Sequence, residues 1–462
     1  MLGFLNLSMT KATQRFMNYY EGKGDNEKKK EIFNISIVLH IVVAIILVIL
    51  LLITGSFLFN GILNIPSNRI EAAIIVYGSL IVSTAFSVIT VPYDAVLNSH
   101  ENMRYYAIIG ILESLLKLMV AFVVVYVLMD KLIVYGILMA SIPFVTLSIM
   151  RLYCHKHYSE CVFAPIRYWE KDTALDMAKF AGWNFYGCFS VLVGNYGNGL
   201  VMNHFYGVTL NAATGVATRL CAQLNTFSNT MQKALNPAIT ISEGEGNRKK
   251  MLELSTSGCK FSFALLAVVA IPFIIEMPYI QELWLVNVPK WAVLFAQLQI
   301  VRVLIELLTL PYSQSILSEG RVAGYNITIS VMNLVPVVCL FLLFRNGYPP
   351  ITMYILNISI FGILISFVRL FYAHKNCGLS YMIFVKEVFL PILIVFAGSY
   401  VITLLPQYYL DSGFIRLILS LIIGVMSFSL LFWFFVLSKN EKELLIESLV
   451  KIKNKISRHG FE

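Results

Sequence analysis

The sequence predicts an all-α polytopic membrane protein, built as two parallel six-helix lobes, the first incomplete, followed by two C-terminal helices. Three observations predict it. Of 462 residues, 58% are hydrophobic and only 13% charged, against about 25% charged in soluble domains. Apolar runs of spanning length, about 20 residues, recur from end to end. The chain also repeats itself at a period near 220 residues, the kind of signal to be read before any local motif.

Taken in order, an apolar-polar segment over 1–20 reads as a partial helix, closed by Lys23 and Lys28 to Lys30. The first full span follows near 33–59. The next, 70–98, carries Pro92, which predicts a bend, and Asp94, which predicts an interfacial end. Runs at 104–128 and 132–152 come next. The pair 178–206 and 211–241 is long enough to span but unusually rich in Asn, Gln and Thr. Runs at 257–279, 291–317 (with Pro311), 322–344 and 351–374 follow, and 382–405 and 413–437 are the accessory pair. That makes twelve complete spans. The tail, 438–462, alternates Lys with Leu and Ile, as an interfacial amphipathic helix does.

Charge placement orients these spans. The net charge of +9 does not indicate nucleic acid, because Lys and Arg concentrate in alternate loops and in the tail. The basic loops hold Lys23 with Lys28 to Lys30; Arg104; Arg151, Lys156, Arg167 and Lys171; Arg248 to Lys250; Arg321; and Arg369 with Lys375. Basic loops stay cytoplasmic, so the C-terminus is expected inside. Met1 to Tyr20 lacks the basic start, clean apolar core and cleavage site of a signal peptide. The seven cysteines show no CxxC spacing and suit a packing role.

The repeat sets the domain organisation. Glu21-Gly-Lys-Gly24 matches Glu243-Gly-Glu-Gly246, and Met9-Thr-Lys11-Ala12 matches Met231-Gln-Lys233-Ala234. Pro92-Tyr93 matches Pro311-Tyr312, Tyr106 matches Tyr325, and Tyr135 matches Tyr354. Arg151-Leu-Tyr-Cys-His-Lys156 resembles Arg369-Leu-Phe-Tyr-Ala-His-Lys375. Both Gly-rich loops are basic, so the copies are parallel, as in one class of transporters. About 67 residues precede Glu243 in its copy and only 20 precede Glu21. The first copy is therefore expected to lack one helix and half of the next. The expected divisions are an N-terminal lobe at 1–155, a cytoplasmic linker at 156–175, a C-terminal lobe at 176–377, accessory helices at 378–437 and a basic tail at 438–462.

Several stretches resemble bacterial polysaccharide-biosynthesis flippases of the multidrug, oligosaccharidyl-lipid and polysaccharide exporter superfamily. They are Ala12-Thr-Gln-Arg-Phe16, Glu21-Gly-Lys-Gly-Asp25, Phe180-Ala-Gly-Trp-Asn184, Leu235-Asn-Pro237 and Val91-Pro-Tyr93. The resemblance runs from Leu5 to about Leu437. It implies two six-helix lobes, two accessory helices and a central cavity opening alternately to each side. The implied substrate is an undecaprenyl-diphosphate-linked oligosaccharide, exported across the inner membrane for capsule, O-antigen or exopolysaccharide assembly. Membrane lipids and a polysaccharide polymerase or export machinery are the implied partners; no cofactor is implied.

Charge and polarity inside spans locate the candidate site, since each buried charge is costly. In 211–241, Arg219, Gln223, Thr226, Thr230, Lys233 and Pro237 recur at spacings of three and four, one helical face. Lys11 is the repeat-equivalent of Lys233, and Arg15 lies one turn on. Asn184, Asn195 and Asn198 add hydrogen-bonding groups on 178–206. Arg grips phosphate bidentately and Lys supplies point charge, so Arg219, Lys233, Gln223, Lys11, Arg15, Asn184 and Asn195 are the expected substrate-binding set. The competing reading of Lys11, Arg15 and Lys233 is snorkelling to headgroups. Glu113 with Lys117, and Arg302 with Glu306, stand four apart and can neutralise each other; alternatively Glu113 or Glu306 binds a coupling proton or cation.

The Gly-x-Gly loops lack the strand and GxxxxGK[ST] continuation of a phosphate loop. No metal site is expected, although His155 and His157 neighbour Cys154 and Cys161. The chain is not read as an enzyme, because a glycosyltransferase or polymerase would be expected to carry catalytic residues in sizeable outer loops. Here the longest outer loop, 279–290, offers only Glu282. Besides a flippase, a multidrug or metabolite antiporter of the same superfamily and a non-transporting remnant remain as alternatives.

Overall fold

The computed structural model describes residues 3–59, 69–443 and 446–447. Among them every regular element is helical. Helix α1 spans Gly3–Lys23, α2 Asn26–Phe57, α3 Ile70–Ser99, α4 Met103–Tyr126 and α5 Lys131–His157. Helix α6 runs Lys171–Gly244, α7 Arg248–Ile275, α8 Met277–Trp284, α9 Ala292–Leu307, α10 Leu310–Glu319 and α11 Ala323–Arg345. The remaining spans are α12 Thr352–Cys377, α13 Tyr381–Tyr409 and α14 Phe414–Phe435; π-helical stretches occur at Ile358–Leu364, Ala373–Cys377 and Val385–Phe389.

Each of the twelve predicted runs lies on a helix. Among the described residues, nine helices are long and apolar enough to cross a membrane, and α9 with α10, bent by 41°, makes a tenth. The other two runs are the arms of α6, whose polarity keeps it out of that set. The arms meet at Gly207, whose φ of 77° and ψ of −177° break the helix in a region few residues but glycine can enter. This is a multi-pass membrane protein. Helix α4 shows why the composition is so apolar: Ile108, Ile111, Leu115 and Phe122 are all exposed, a face suited to lipid. The tail predicted at 438–462 lies mostly outside the described residues.

Two expectations are revised. The outer loop at 279–290 begins as helix α8 rather than as open coil. Arg369, assigned to a basic loop, lies inside α12 and is buried. Its guanidinium finds a carboxylate there, which offsets the cost of burial.

The Glu-Gly-x-Gly sequences build the same turn twice. The Gly24 N–H donates to Glu21 O at 3.0 Å and the Asp25 N–H to Tyr20 O at 3.2 Å. In the other copy Gly246 donates to Glu243 O at 3.0 Å and Asn247 to Ser242 O at 2.9 Å. Both glycines are left-handed, with φ of 69° and 75°. This is the Schellman helix end. The next helix then starts on a capping side chain: Asp25 Oδ1 accepts from Lys28 N, and Asn247 Oδ1 from Lys250 N.

The described chain divides into two compact units. The first comprises 1–191, 236–251 and 317–330. Met17, Phe33, Val96, Met150 and Met177 lie at its core. Between α1 and α2 a buried polar chain links Thr13 to Ser36 at 2.9 Å, and Ser36 O to His40 Nδ1 at 2.8 Å. Asn34 clamps the segment after α5, donating to Val162 O and accepting from the Ala164 N–H, both at 2.8 Å.

The second unit comprises 192–235, 252–316 and 331–462. Its helices are tied by buried ion pairs as well as by apolar packing. Glu276, fully buried, accepts from Arg416 at 2.9 and 3.1 Å and from Ser420 at 3.0 Å. Lys260, also buried, donates to Glu441 at 3.2 Å, and Ser257 donates to the same carboxylate at 2.7 Å. Such charges persist in a low-dielectric interior only with partners like these.

Candidate functional site

The second arm of α6 reverses the usual arrangement of a spanning helix. Ala213, Ala217, Cys221, Leu224 and Ser228 are buried at spacings of three and four. That face is fixed in part by Ser228 Oγ, which donates to Ser262 O at 2.7 Å. The opposite face exposes Arg219, Gln223, Thr226, Thr230 and Lys233, as the spacing predicts; Pro237 is buried instead. Thr226 and Thr230 return their hydroxyls to carbonyls one turn back. Among the described residues, Arg219, Gln223 and Lys233 make no hydrogen bond or ion pair. No Asp or Glu occurs between Asp176 and Glu243. The arm therefore offers cationic and amide donors with no carboxylate to neutralise them.

Helix α1 treats Lys11 and Arg15 differently. Lys11 is exposed. Arg15 is half-buried, and its Nε and Nη2 donate to the carbonyls of Leu317 and Ser318 at 3.1 Å each. Those carbonyls close the last turn of α10, where orphan acceptors and the helix dipole both favour a cation. The guanidinium also lies 4.8 Å from the Phe16 ring centroid and 5.1 Å from that of Phe180. Around it opens a cavity of about 610 Å³, whose lining includes Tyr19, Lys23, Lys179, Trp183 and Arg321. Arg321 reads in the sequence only as a basic-loop charge, and Lys179 is not singled out there because it falls off the polar spacing of its run.

The asparagines of α6 separate. Asn184 is buried and donates to Phe180 O at 2.9 Å, within its own helix. Asn195 is exposed. Asn198 is buried and donates to Asn357 Oδ1 at 3.3 Å. Asn184, Lys11 and Arg15 belong to the first compact unit, while Asn195, Arg219, Gln223 and Lys233 belong to the second.

Both predicted intrahelical ion pairs form. Lys117 donates to Glu113 at 2.6 Å on α4, with both side chains about half exposed. Glu306 accepts from Arg302 at 3.1 Å. It also accepts from Arg369 Nη2 at 3.0 Å, so one carboxylate sits between two guanidinium groups. No local spacing could have revealed Arg369, which is 63 residues away in sequence.

Outside the spans, Glu21, His100 and Glu160 converge, their ligand atoms within 4.8 Å of one another. Such donors suit a metal ion, but the arrangement is better satisfied as an ion-pair cluster. The imidazole uses Nε2 against Glu160 and turns Nδ1 to within 3.7 Å of Glu21, while Lys29 already lies 2.6 Å from the other Glu21 oxygen. Burial alone would push the Glu160 carboxyl up. The His100 hydrogen bond, its own backbone N–H and nearby Lys29 outweigh that and hold it below the ordinary glutamate value. A separate cavity of about 460 Å³ in the second unit, between Phe263, Leu304, Phe367 and Phe396, has no charged residue in its lining.

No family model and no curated protein sequence matches the chain. Solved structures do. A MATE crystal structure in the straight conformation is 15% identical with a TM-score of 0.71, covering 82% of this chain and 85% of that one. An outward-facing multidrug resistance MATE family transporter of the MOP superfamily is 14% identical with a TM-score of 0.68, over 82% and 84%. A MOP superfamily transporter from Pyrococcus furiosus, whose binding pocket is described as having reverse polarity that suggests a different function, is 12% identical with a TM-score of 0.66, over 81% and 85%. At such identities the likeness establishes the MATE-like fold and no more.

Proposed function

We propose that this multi-pass membrane protein, which has the MATE-like transporter fold, is a flippase exporting undecaprenyl-diphosphate-linked oligosaccharides across the bacterial cytoplasmic membrane by alternating access. The product would feed surface polysaccharide assembly, alongside a polymerase or export machinery. The C-terminus lies inside, and the lobes are 1–155 and 176–377, followed by the accessory helices.

One observation carries this reading: the exposed, unpaired Arg219, Gln223 and Lys233 on a helix without a carboxylate. Cations unpaired within a protein attract anions, and the diphosphate of a lipid-linked sugar matches a guanidinium and an ammonium. Gln223 and Asn195 of the second unit are assigned to sugar hydroxyls, and Lys11, Arg15 and Asn184 of the first are proposed as further substrate contacts in their own right. Export of a multidrug or metabolite cation is the second reading, and it fits the structural neighbours at least as well. Its candidates for ion coupling are Glu306, which Arg302 and Arg369 already hold, and Glu113, which Lys117 already holds, so coupling on this reading requires one of those pairs to open.

The lipid extract of a strain lacking the gene separates the two. The flippase reading predicts accumulation of a complete lipid-linked unit and loss of surface polysaccharide, both cured by the gene. Normal lipid intermediates with altered drug or metabolite export, in a strain without a redundant flippase, would establish the antiporter instead.

A further inference from the structure

Glu21-Gly22-Lys-Gly24 and Glu243-Gly244-Glu-Gly246 are more than equivalent turns, because the first glycines of the two sequences touch. A Cβ built on Gly22 would sink into the Ile241 carbonyl, 2.9 Å from its carbon, and stand 3.1 Å from Glu245 N. A Cβ on Gly244 would sink likewise into the Tyr19 carbonyl, 2.9 Å from its carbon, and stand 3.2 Å from the Gly22 Cα. The contacts are reciprocal: residue 19 corresponds to 241 and residue 22 to 244 at the 222-residue offset of the repeat. The ends of α1 and α6 thus cross backbone to backbone on the repeat's own symmetry, with no side chain between them.

The surrounding contacts lock the same crossing. Arg15 of α1 holds the carbonyls of Leu317 and Ser318. Thr240 of α6, fully buried, meets Ser318 Oγ at 2.8 Å. The Arg15 bonds join one copy of the repeat to the other at the end that carries the basic loops, and the Thr240 bond ties α6 to the same turn of α10 within the second copy.

We infer that the two Glu-Gly-x-Gly turns are the gate closing this end of the transport path, and that closure requires glycine at both 22 and 244. The inference rests on the transporter reading above but not on the identity of the cargo. Alternating access needs a contact that seals tightly and still separates. A backbone crossing meets both needs, because close approach comes from missing side chains rather than from interlocked ones. A methyl group at either position meets rigid backbone, so the turns must part.

The test uses the full chain in inside-out membrane vesicles, with Thr240→Cys as reporter and a membrane-impermeant maleimide as probe. Mass measurement of the modified peptide distinguishes the introduced thiol from the native cysteines. Gly22→Ala and Gly244→Ala should each raise the labelling rate at least threefold. Gly215→Ala, where no atom lies within 4 Å of the new methyl, should leave it unchanged. Equal rates in all variants would overturn the gate, as would faster labelling only from the opposite membrane face. If neither glycine tolerates alanine in a monodisperse protein, Lys23→Cys with Glu245→Cys tests the crossing with both glycines intact. A short bismaleimide should bridge most molecules, and failure to bridge would overturn the inference. Faster labelling in a protein whose deletion leaves lipid-linked intermediates normal would keep the gate and remove the flippase reading.

Discussion

The turns at Glu21–Asp25 and Glu243–Asn247 share their hydrogen bonds, their left-handed glycine and their capping residue. The helices that follow them do not stay alike. Pro92 sits inside a continuous α3, whereas its equivalent Pro311 lies just past the 41° break between α9 and α10. Arg151 is exposed at the end of α5, but its equivalent Arg369 is buried against Glu306. What the copies share is decided locally, by glycine torsions and a cap. What differs is decided by partners far away in sequence.

The largest expected effect tests that division. Arg369→Ala leaves Glu306 paired with Arg302 alone and should destabilise the protein by roughly 2–3 kcal/mol through the loss of a buried, charge-assisted hydrogen bond. Arg151→Ala should stay within about 0.5 kcal/mol, as exposed substitutions do. Thermal unfolding in detergent would show the contrast as a clear fall in Tm for one variant only; equal falls would mean the copies are alike here too. Next come Gly24→Ala and Gly246→Ala, each forcing a Cβ into a left-handed torsion at about 1–2 kcal/mol. Their losses should match, and a clear mismatch would break the equivalence of the turns. The caps come third: Asp25→Ala and Asn247→Ala should each cost about 1 kcal/mol, again in parallel.

The smallest effect is a pH dependence specific to the first copy. Because the folded Glu160 carboxyl is held below its ordinary value of 4.5, its stabilisation is complete above that pH. It is lost as pH falls through the lowered value. Melting curves between pH 6 and about pH 4 should therefore steepen at the acid end, and Glu160→Gln should flatten that limb. An unchanged curve would show that the pairing with His100 contributes nothing measurable.

The spans, the repeat and the polar arm of α6 were legible because each is periodic or local. Arg219, Gln223 and Lys233 fall at helical spacing, so their common exposed face follows from residue numbers alone. The partners of buried charge were not legible. Arg369 joins Glu306 across 63 residues, Arg416 joins Glu276 across 140, and His100 joins Glu160 across 60. Arg369 reads in sequence as a basic-loop charge, because nothing nearby indicates where its partner will be. The role of Arg15 at the end of α10 escaped for the same reason. The crossing of Gly22 and Gly244 was half visible: the repeat showed that the sequences correspond, and only the structure shows that they meet.

The central claim is that an unneutralised cationic face on α6 carries a diphosphate-linked lipid. It is tested most directly by flipping of a labelled polyprenyl-diphosphate oligosaccharide in proteoliposomes containing the purified full chain. The account predicts transfer to the opposite leaflet with the parent protein, a loss of at least tenfold with Arg219→Ala, and partial recovery with Arg219→Lys. Transfer that is unaffected by Arg219→Ala and Lys233→Ala together would contradict it.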